Sequence, residues 1–338
     1  MLKKLLITLL LLKLSVSYAT EKKNILFIGN SYTHYNNMPK IFDQLATSKG
    51  YDLQVEMFAK SSHTCKMHSE RKDLYEKIGS KKWDYVVFQG FSRELFYRPA
   101  HLDTSFLPYF NRIMDSIYSN YSCTNVLLYQ TWGYKNGYEI DSNQVSYQEM
   151  SDRIAMGYQY VSDKYALPIV PVGQVWETVK SNYPSINLYT EDNQHPSLFG
   201  SYLVACTFFT AILKSSPIEG YKGSLPDKEA ATIQQTAYDF VTLNIERYML
   251  KMNTVDVRYE KTAGGKYLAY CKAYYPQAAS VKWEFGDKEF AYSKFIVHSY
   301  KLPGFYNVKV TIYDKCGEII HQNKVFFKPE KPIKKKKI

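Results

Sequence analysis

The stretch Asn24-Ile25-Leu26-Phe27-Ile28-Gly29-Asn30-Ser31-Tyr32-Thr33 decides the fold. Its apolar run at 25–28 is followed at once by glycine, asparagine and serine, which predicts a buried strand that ends in a tight turn. After Pro39 the apolar spacing becomes helical, and Gly50 ends that pattern. A turn between a strand and a helix is where many α/β enzymes hold a nucleophile, although an ordinary loop that contains a serine also fits this stretch.

Four further apolar runs have the length and composition of strands, and helical patterns separate them. They lie at 53–58, 83–90, 125–132 and 168–173. Strands that alternate with helices predict a mostly parallel sheet with helices on both faces. Ligands bind outside the carboxyl ends of the strands in such a sheet. We therefore expect the residues that follow the strands to converge: Ser31, Ser61-Ser62, Gln89-Gly90 and Trp132.

A second group of candidate residues lies far downstream, in Asp192-Asn193-Gln194-His195. An isolated Asp-x-x-His is typical of a solvated loop. Together with a serine at a strand end, however, it supplies the parts of a catalytic triad. A base must take the serine proton, and a carboxylate must orient the imidazole and stabilise the imidazolium. The candidates are Ser31 as nucleophile, His195 as general base and Asp192 as orienting carboxylate.

These motifs resemble those of the SGNH (GDSL-type) serine hydrolases, most closely an exported bacterial subgroup. The resemblance rests on residues 29–33, 83–87 and 192–197, the last followed by Gly200-Ser201-Tyr202-Leu203, and covers most of residues 24–215. It implies a flavodoxin-like, three-layer α/β fold over residues 20–250. It also implies a Ser31–His195–Asp192 triad that works without a cofactor or a metal ion.

The resemblance implies an oxyanion hole with three donors. The first is the N–H of Ser31 itself. The second is a glycine N–H in the family, and the matching position here is Ser61 or Ser62, with Ser62 favoured. A backbone N–H survives the change from glycine to serine, whereas the conformational freedom of glycine does not.

The third donor in the family is an asparagine of a Gly-x-Asn-Asp block, which reads Gly90-Phe91-Ser92-Arg93 here. We predict that the Gln89 amide replaces that asparagine. Loss of one such donor typically lowers kcat by about 10²–10³-fold, so the altered block bears on whether the protein is active. Three residues are predicted to contact substrate: Tyr32, Ser92 and Trp132.

The pattern changes after residue 250, where short alternating runs separated by turn residues predict a small β-sandwich over 254–327. Trp283-Glu284-Phe285-Gly286-Asp287 and His298-Ser299-Tyr300 resemble the polycystic-kidney-disease-type (PKD) module, an Ig-like sandwich. The resemblance implies that Trp283 lies in the core and that His298 lies at a turn. Such a module could bind a polysaccharide or a protein.

Residues 1–19 have the pattern of a signal peptide, because Lys3 and Lys4 precede a short apolar stretch and Ala19 offers a cleavage site. That stretch is too short for a membrane anchor, so we expect export to the periplasm or the extracellular space. The formal net charge of +11 is concentrated in this segment and in a basic tail at 328–338. No nucleic-acid partner and no transmembrane segment are expected.

Five cysteines are present, and none forms a Cys-x-x-Cys pair, which argues against a structural zinc site. An odd number leaves at least one thiol unpaired. Cys206 lies in an apolar run and is expected to be buried. Cys271 and Cys316 both fall in the C-terminal module, where they could pair.

Two functions remain open. The preferred interpretation is a secreted serine esterase that removes acetyl or other short acyl groups from a carbohydrate or a small ester. The alternative is a catalytically weak or inactive SGNH-like protein that binds carbohydrate or mediates adhesion. The three triad candidates favour the first interpretation, and the altered third block favours the second.

Overall fold

The structure is a computed structural model that describes residues 22–140, 142–250, 254–261, 267–274, 278–302, 304–314 and 319–327. The predicted signal peptide, the basic tail and Cys316 lie outside the described residues. The helices in the described ranges lack the combination of length and apolar character that a membrane span requires.

The N-terminal body is built on a five-stranded parallel sheet, as predicted. Its strands are β1 (Lys23–Gly29), β2 (Leu53–Ala59), β3 (Tyr85–Phe88), β4 (Asn125–Tyr129) and β7 (Ile169–Val170). Strands β5 (Tyr138–Ile140) and β6 (Asn143–Val145) lie outside this sheet. The spatial order in the sheet is β2-β1-β3-β4-β7. Counted over these five strands alone, that is the 2-1-3-4-5 order of flavodoxin-like sheets, so the predicted fold class is confirmed.

Ten α-helices, two short 3₁₀ helices (Tyr35–Asn37 and Glu94–Phe96) and a short hairpin complete the described part of this body. The helices are α1 (Ser31–His34), α2 (Met38–Ser48), α3 (Cys65–Ser69), α4 (Lys72–Gly79), α5 (Pro99–Ser105), α6 (Leu107–Asn120), α7 (Tyr147–Tyr165), α8 (Val172–Asn182), α9 (Leu198–Leu213) and α10 (Asp227–Leu243). The hairpin pairs β5 (Tyr138–Ile140) with β6 (Asn143–Val145).

Helix α9 is apolar on all sides because other elements surround it. Residues 200–212 are buried throughout, and the helix packs against α2, α8 and α10. It begins directly after the His195 loop, where the Ser197 hydroxyl accepts a hydrogen bond from the Gly200 N–H at 3.2 Å. The loop that carries the candidate base is therefore anchored to the most buried helix of the body.

The strand register brings the candidate residues to one edge of the sheet. Gly29, the last residue of β1, lies beside Ala59 of β2, and Ile28 lies beside Phe88 of β3. The segments that follow these three strands carry Ser31, Ser62 and Gln89. Their convergence at the carboxyl edge, expected from the alternation of strands and helices, is confirmed.

The described part of the C-terminal module consists of two antiparallel sheets. The strands are β8 (Thr254–Lys261), β9 (Tyr267–Tyr274), β10 (Ala278–Glu284), β11 (Phe290–Tyr292), β12 (Phe295–Tyr300), β13 (Tyr306–Asp314) and β14 (Ile319–Phe327). Their spatial orders are β11-β10-β13-β14 in one sheet and β12-β9-β8 in the other. Trp283 is fully buried in the core between them, as predicted, and its Nε1–H donates to the Ser293 carbonyl at 3.0 Å.

His298 does not lie at a turn, which corrects the sequence-based prediction. It lies within β12, opposite Ala269 of β9, and is buried. Strand alternation turns this residue towards the module interior, where its ring stacks on Phe285 with centroids 3.9 Å apart. The apolar and aromatic residues of Phe295–Tyr300 are typical of a strand, and this is the signal in the sequence for the position of His298.

The cysteines divide into free and bonded groups. Cys65, Cys206 and Cys271 are buried free thiols, so Cys271 does not form the pair that we considered from the sequence. Cys206 is buried as predicted. Cys123 is disulfide-bonded.

Candidate active site

Ser31 lies in the turn that the sequence indicated, as the first residue of α1. The Asn30 side chain caps this helix by accepting the Tyr32 N–H at 3.1 Å. The residue before Asn30 must be glycine, since a Cβ at Gly29 would overlap the side chains of Thr33 and Gln89. As a first helical residue, Ser31 has no intrahelical partner for its N–H. This N–H is therefore well suited to donate to an oxyanion.

Ser31, His195 and Asp192 form a continuous chain of hydrogen bonds. His195 Nε2 lies 2.8 Å from Ser31 Oγ, and His195 Nδ1 lies 2.5 Å from Asp192 Oδ2. Direct proton transfer from the hydroxyl to the imidazole requires such contact. The structure thus brings together the three residues that were selected as triad candidates.

Asp192 is held as a carboxylate. Partial burial acts to raise its pKa, but hydrogen bonds outweigh that effect and hold the pKa well below its usual range. The donors are the His195 ring, the backbone N–H groups of His195 and Gln194 at 2.9 Å each, and the Thr190 hydroxyl at 2.8 Å. An ionised Asp192 fixes the proton of His195 on Nδ1, which leaves Nε2 free to accept the serine proton.

Two residues that sequence reasoning missed hold the His195 loop. Tyr35 stacks face to face on the His195 ring, with centroids 4.4 Å apart. The Asn36 amide donates to the Pro196 carbonyl at 3.1 Å and to the Ser201 hydroxyl at 2.9 Å. Asn36 has a φ of 51°, a left-handed conformation that asparagine tolerates better than most residues. The Asn36-Asn37 pair was the signal in the sequence that could have revealed this turn.

An open cavity of about 550 Å³ gives access to the triad. Its wall includes Ser31, His195 and Ser62, and the last has a φ of 61°. This is the left-handed region that favours glycine, the residue that the resemblance implies at this position. The serine keeps the glycine-like backbone at a cost of roughly 1 kcal/mol. The geometry thus selects Ser62 over Ser61 as the second-block position.

Gln89 does not line this cavity, which corrects its assignment as an oxyanion donor. Its Oε1 accepts the Asn30 N–H at 3.0 Å and the Thr33 hydroxyl at 2.8 Å. Its Nε2 donates to Asn30 Oδ1 at 3.0 Å and to the Gly90 carbonyl. Both the oxygen and the nitrogen of the Gln89 amide are thus engaged in hydrogen bonds, most of them to the turn that carries Ser31. The strand end and the adjacent glycine predicted the position of Gln89 near the site, but they did not predict the direction of its side chain.

Ser92 lines the cavity and occupies the position of the family's asparagine. Its hydroxyl lies 2.9 Å from the Tyr134 hydroxyl. Burial raises the pKa of Tyr134, so its phenol stays protonated and can donate to Ser92 Oγ. In that arrangement the Ser92 O–H is available to a group in the cavity. Ser92 is therefore the side-chain donor that the geometry favours in place of Gln89.

Of the other two residues that were predicted to contact substrate, Tyr32 lines the cavity and Trp132 does not. Tyr32 is almost fully buried yet contributes to the cavity wall, and its ring meets the His195 ring edge-on at 5.6 Å. Trp132 is fully buried between Tyr32 and Trp176, with ring centroids 4.4 and 3.9 Å away. Its Nε1–H donates to the Gln194 carbonyl at 3.1 Å. Trp132 thus supports the base loop from beneath, and the prediction that it contacts substrate is wrong.

Further residues of the cavity wall come from the third block and the β5–β6 hairpin, and sequence reasoning did not select them. They include Arg93, Tyr138 and Glu139. Gly137 turns the chain into the hairpin with a φ of 76°, where a Cβ would overlap the Val145 carbonyl. A glycine between polar residues was the only signal in the sequence for this turn.

Glu94 is a partly buried carboxylate that joins two loops near the cavity. It accepts the Cys65 N–H at 2.9 and 3.0 Å through its two oxygens, and the Phe91 N–H at 2.9 Å. Burial raises the pKa of Glu94 to about 7, although these hydrogen bonds act to lower it. The residue ties the segment after Ser62 to the segment that carries Ser92.

Among the described side chains, one group has donor atoms close enough together to hold a metal ion: Asp287, Glu289 and His298. It lies in the C-terminal module. The described residues at the cavity contain no such group. Serine, histidine and aspartate in the observed order need no metal ion to activate the hydroxyl.

Comparison with solved structures relates the chain to proteins of the same architecture. A DUF4886 family protein from Bacteroides uniformis is 18% identical, with a TM-score of 0.56 over 67% of this chain and 96% of that chain. A candidate SGNH hydrolase from Slackia heliotrinireducens is 23% identical, with a TM-score of 0.46 over 56% of this chain and 97% of that chain. The acetylxylan esterase Axe2 from Geobacillus stearothermophilus is 16% identical, with a TM-score of 0.40 over 55% and 92%.

At the level of sequence, the C-terminal module matches one family model, and no curated protein matches the chain. Residues 273–326 match the family model of the PKD domain. The solved structures that are similar to this chain thus include SGNH hydrolases, and part of its C-terminal module matches the PKD domain.

Proposed function

We propose that this protein is a serine esterase that hydrolyses short acyl esters through a covalent acyl-enzyme. The observation that carries the proposal is the chain of contacts from Ser31 Oγ to His195 Nε2 at 2.8 Å and from His195 Nδ1 to Asp192 Oδ2 at 2.5 Å. Ser31 and His195 line a cavity of about 550 Å³, which is within the size range of small-molecule sites.

In the first step, Ser31 Oγ attacks the carbonyl carbon of the ester while its proton passes to His195 Nε2. Asp192 stabilises the imidazolium that forms. The Ser31 N–H, the Ser62 N–H and the Ser92 hydroxyl would surround the oxyanion of the tetrahedral intermediate. When this intermediate collapses, the bond to the alcohol breaks and the leaving oxygen takes the proton from His195.

In the second step, His195 takes a proton from a water molecule as the water oxygen attacks the acyl carbon. Collapse of the second intermediate returns that proton to Ser31 Oγ and releases the carboxylic acid. One ester and one water thus give one alcohol and one acid, and the side chains return to their starting protonation states.

Acyl groups on a carbohydrate are the proposed substrate. The cavity is open, and its wall includes hydroxyl, amide, charged and aromatic side chains, the mixture of groups that suits a carbohydrate. Resemblance of the C-terminal module to those that accompany secreted enzymes acting on polymers supports the same substrate class. Export is proposed from the signal-like residues 1–19, and the disulfide at Cys123 fits an oxidising compartment.

A second candidate function is carbohydrate binding without turnover. The observation that favours it is the third block, where a hydroxyl that already contacts Tyr134 stands in place of an amide. The test is hydrolysis of 4-nitrophenyl acetate by the purified full chain and by Ser31→Ala. The esterase proposal predicts turnover that the variant lacks. Equal rates in the two proteins, or no turnover with any short acyl ester, would contradict it.

A further inference from the structure

Arg93 is a cation in the wall of the catalytic cavity, and no ion pair involving it occurs within the described residues. The only other formally charged side chain in that wall, apart from the histidine, is Glu139, and the two are not within ion-pair distance. Arg93 is half-buried, and a partly buried charge without a carboxylate partner loses hydration without compensation. The position of Arg93 therefore calls for a partner that enters the cavity.

Two aromatic rings fix the guanidinium. The Arg93 Cζ lies 4.3 Å from the centroid of the Tyr138 ring and 5.6 Å from that of Phe91. A guanidinium held over a ring face keeps its N–H edge available, and this edge matches the two oxygens of a carboxylate. Stacking also removes part of the side-chain freedom that binding would otherwise cost. Arg93 is thus preorganised as a donor of two parallel hydrogen bonds.

The hydroxyl donors of the cavity lie beside this cation. Ser92 directly precedes Arg93 in the chain, and its hydroxyl contacts that of Tyr134 at 2.9 Å. Burial raises the pKa of Tyr134, while its hydrogen bond with Ser92 and the positive charge of Arg93 act in the opposite direction. Arg93 thus brings a positive charge to the part of the wall that carries Ser92 and Tyr134, and this charge favours an anionic group in the substrate.

We propose that Arg93, with Tyr138 as its support, forms a subsite for an anionic group of the substrate. This inference rests on the proposed esterase function and narrows its substrate class to esters that carry a carboxylate or a similar anion. The anion could belong to the acyl group or to the alcohol, and the two sources need separate substrates to be distinguished.

Two matched substrate pairs separate these sources. On the acyl side, mono-4-nitrophenyl succinate is compared with 4-nitrophenyl butyrate. On the alcohol side, an acetylated methyl galacturonoside is compared with the acetylated methyl galactoside. The measured quantity is the ratio of kcat/KM for the anionic ester to that for the neutral ester. We expect this ratio to exceed one in at least one pair and to fall as salt rises.

Arg93→Gln should lower that ratio by about 10–100-fold, the loss typical of a hydrogen bond to a charged group. Arg93→Lys should give an intermediate ratio, because it keeps the charge and loses the paired geometry. The control is Arg153→Gln, which removes an arginine that also lies over a ring, that of Phe96 at 4.9 Å, but outside the cavity wall. It should leave the ratio unchanged.

Calorimetric titration of the Ser31→Ala protein with galacturonate and galactose oligomers tests the subsite without turnover. Preference for the galacturonate oligomer that Arg93→Gln abolishes supports the subsite, even if no ester is hydrolysed. A ratio near one in both pairs, equal binding of both oligomers, or an Arg93→Gln ratio like that of wild type would overturn it. Turnover that survives Ser31→Ala would instead contradict the esterase proposal alone.

Discussion

The two units of this chain each contain a histidine bound to an aspartate, but only one pair has the surroundings of a catalyst. In the α/β body, His195 Nδ1 lies 2.5 Å from Asp192. In the C-terminal module, His298 Nε2 lies 2.7 Å from Asp287. Both rings also stack on an aromatic ring, Tyr35 for His195 and Phe285 for His298.

The second ring nitrogen separates the two pairs. His195 Nε2 faces the Ser31 hydroxyl at 2.8 Å in an open cavity, and 24% of the His195 side chain is exposed. His298 Nδ1 faces a second carboxylate, that of Glu289, at 3.8 Å, and only 8% of its side chain is exposed. A base needs a proton donor and access to substrate, whereas a structural histidine needs only partners. The pair alone therefore does not indicate catalysis.

Removing each histidine should give the largest contrast. His195→Ala should lower kcat by about 10⁵-fold or more, because the serine loses its base. His298→Ala should leave turnover of small esters unchanged and lower the free energy of unfolding of the module by about 2 kcal/mol, since a buried hydrogen bond to a charged group is lost. Steady-state kinetics on 4-nitrophenyl acetate and urea unfolding measure the two effects. A loss of turnover in His298→Ala would break the comparison.

Replacing each aspartate should give a smaller contrast of the same kind. Asp192→Asn should lower kcat by about 10³–10⁴-fold, because the amide no longer fixes the imidazole proton on Nδ1 or stabilises the imidazolium. Asp287→Asn should leave kcat unchanged. The kinetics are measured with the same ester at saturating concentration. If Asp192→Asn kept near-normal turnover, Asp192 would have only a structural role and the two pairs would be alike.

The third contrast lies within the body, between the residue that faces the cavity and the one that does not. Ser92→Ala should lower kcat by about 10²-fold with little change in KM, as expected for a donor that acts mainly in the transition state. Gln89→Ala should mainly lower stability, because it leaves the Asn30 N–H and the Thr33 hydroxyl without their buried acceptor. The reverse pattern of kcat and thermal stability would restore Gln89 as the oxyanion donor.

The fourth prediction concerns a carboxylate whose pKa shifts in the opposite direction to that of Asp192. Burial raises the pKa of Glu94 to about 7 from an ordinary value of 4.5. Between these values the folded chain holds a proton that the unfolded chain has released, so the free energy of unfolding should fall as the pH rises from 5 to 7. The expected decrease from this group is about 2 kcal/mol.

Urea unfolding of wild type and Glu94→Gln at pH 5, 6 and 7.5 measures this dependence. The glutamine cannot titrate, so its curve should be flatter over the window. Glu76→Gln serves as the control because the Glu76 side chain is 63% exposed and should leave the dependence intact. Parallel curves for wild type and Glu94→Gln would show that Glu94 does not titrate in this range.

The sequence was sufficient for the mostly parallel sheet and for the positions of the triad candidates, because both depend on backbone pattern. The run before Gly29 and the Asp-x-x-His spacing fix where the chain places Ser31 and His195. The sequence pattern did not predict the directions of the side chains. Gln89 and Trp132 both follow strands at the correct edge, yet one turns back to Asn30 and the other packs under the base loop. Those directions are decided by neighbours that are distant along the chain.

Covalent labelling of the nucleophile tests the central claim most directly. The full chain and the variants His195→Ala and His298→Ala are treated with phenylmethylsulfonyl fluoride, and peptide mass spectrometry locates the adduct. An activated Ser31 predicts one sulfonyl group on that residue in wild type and in His298→Ala, and almost none in His195→Ala. An adduct on another residue, or equal labelling of Ser31 in all three proteins, would contradict the account.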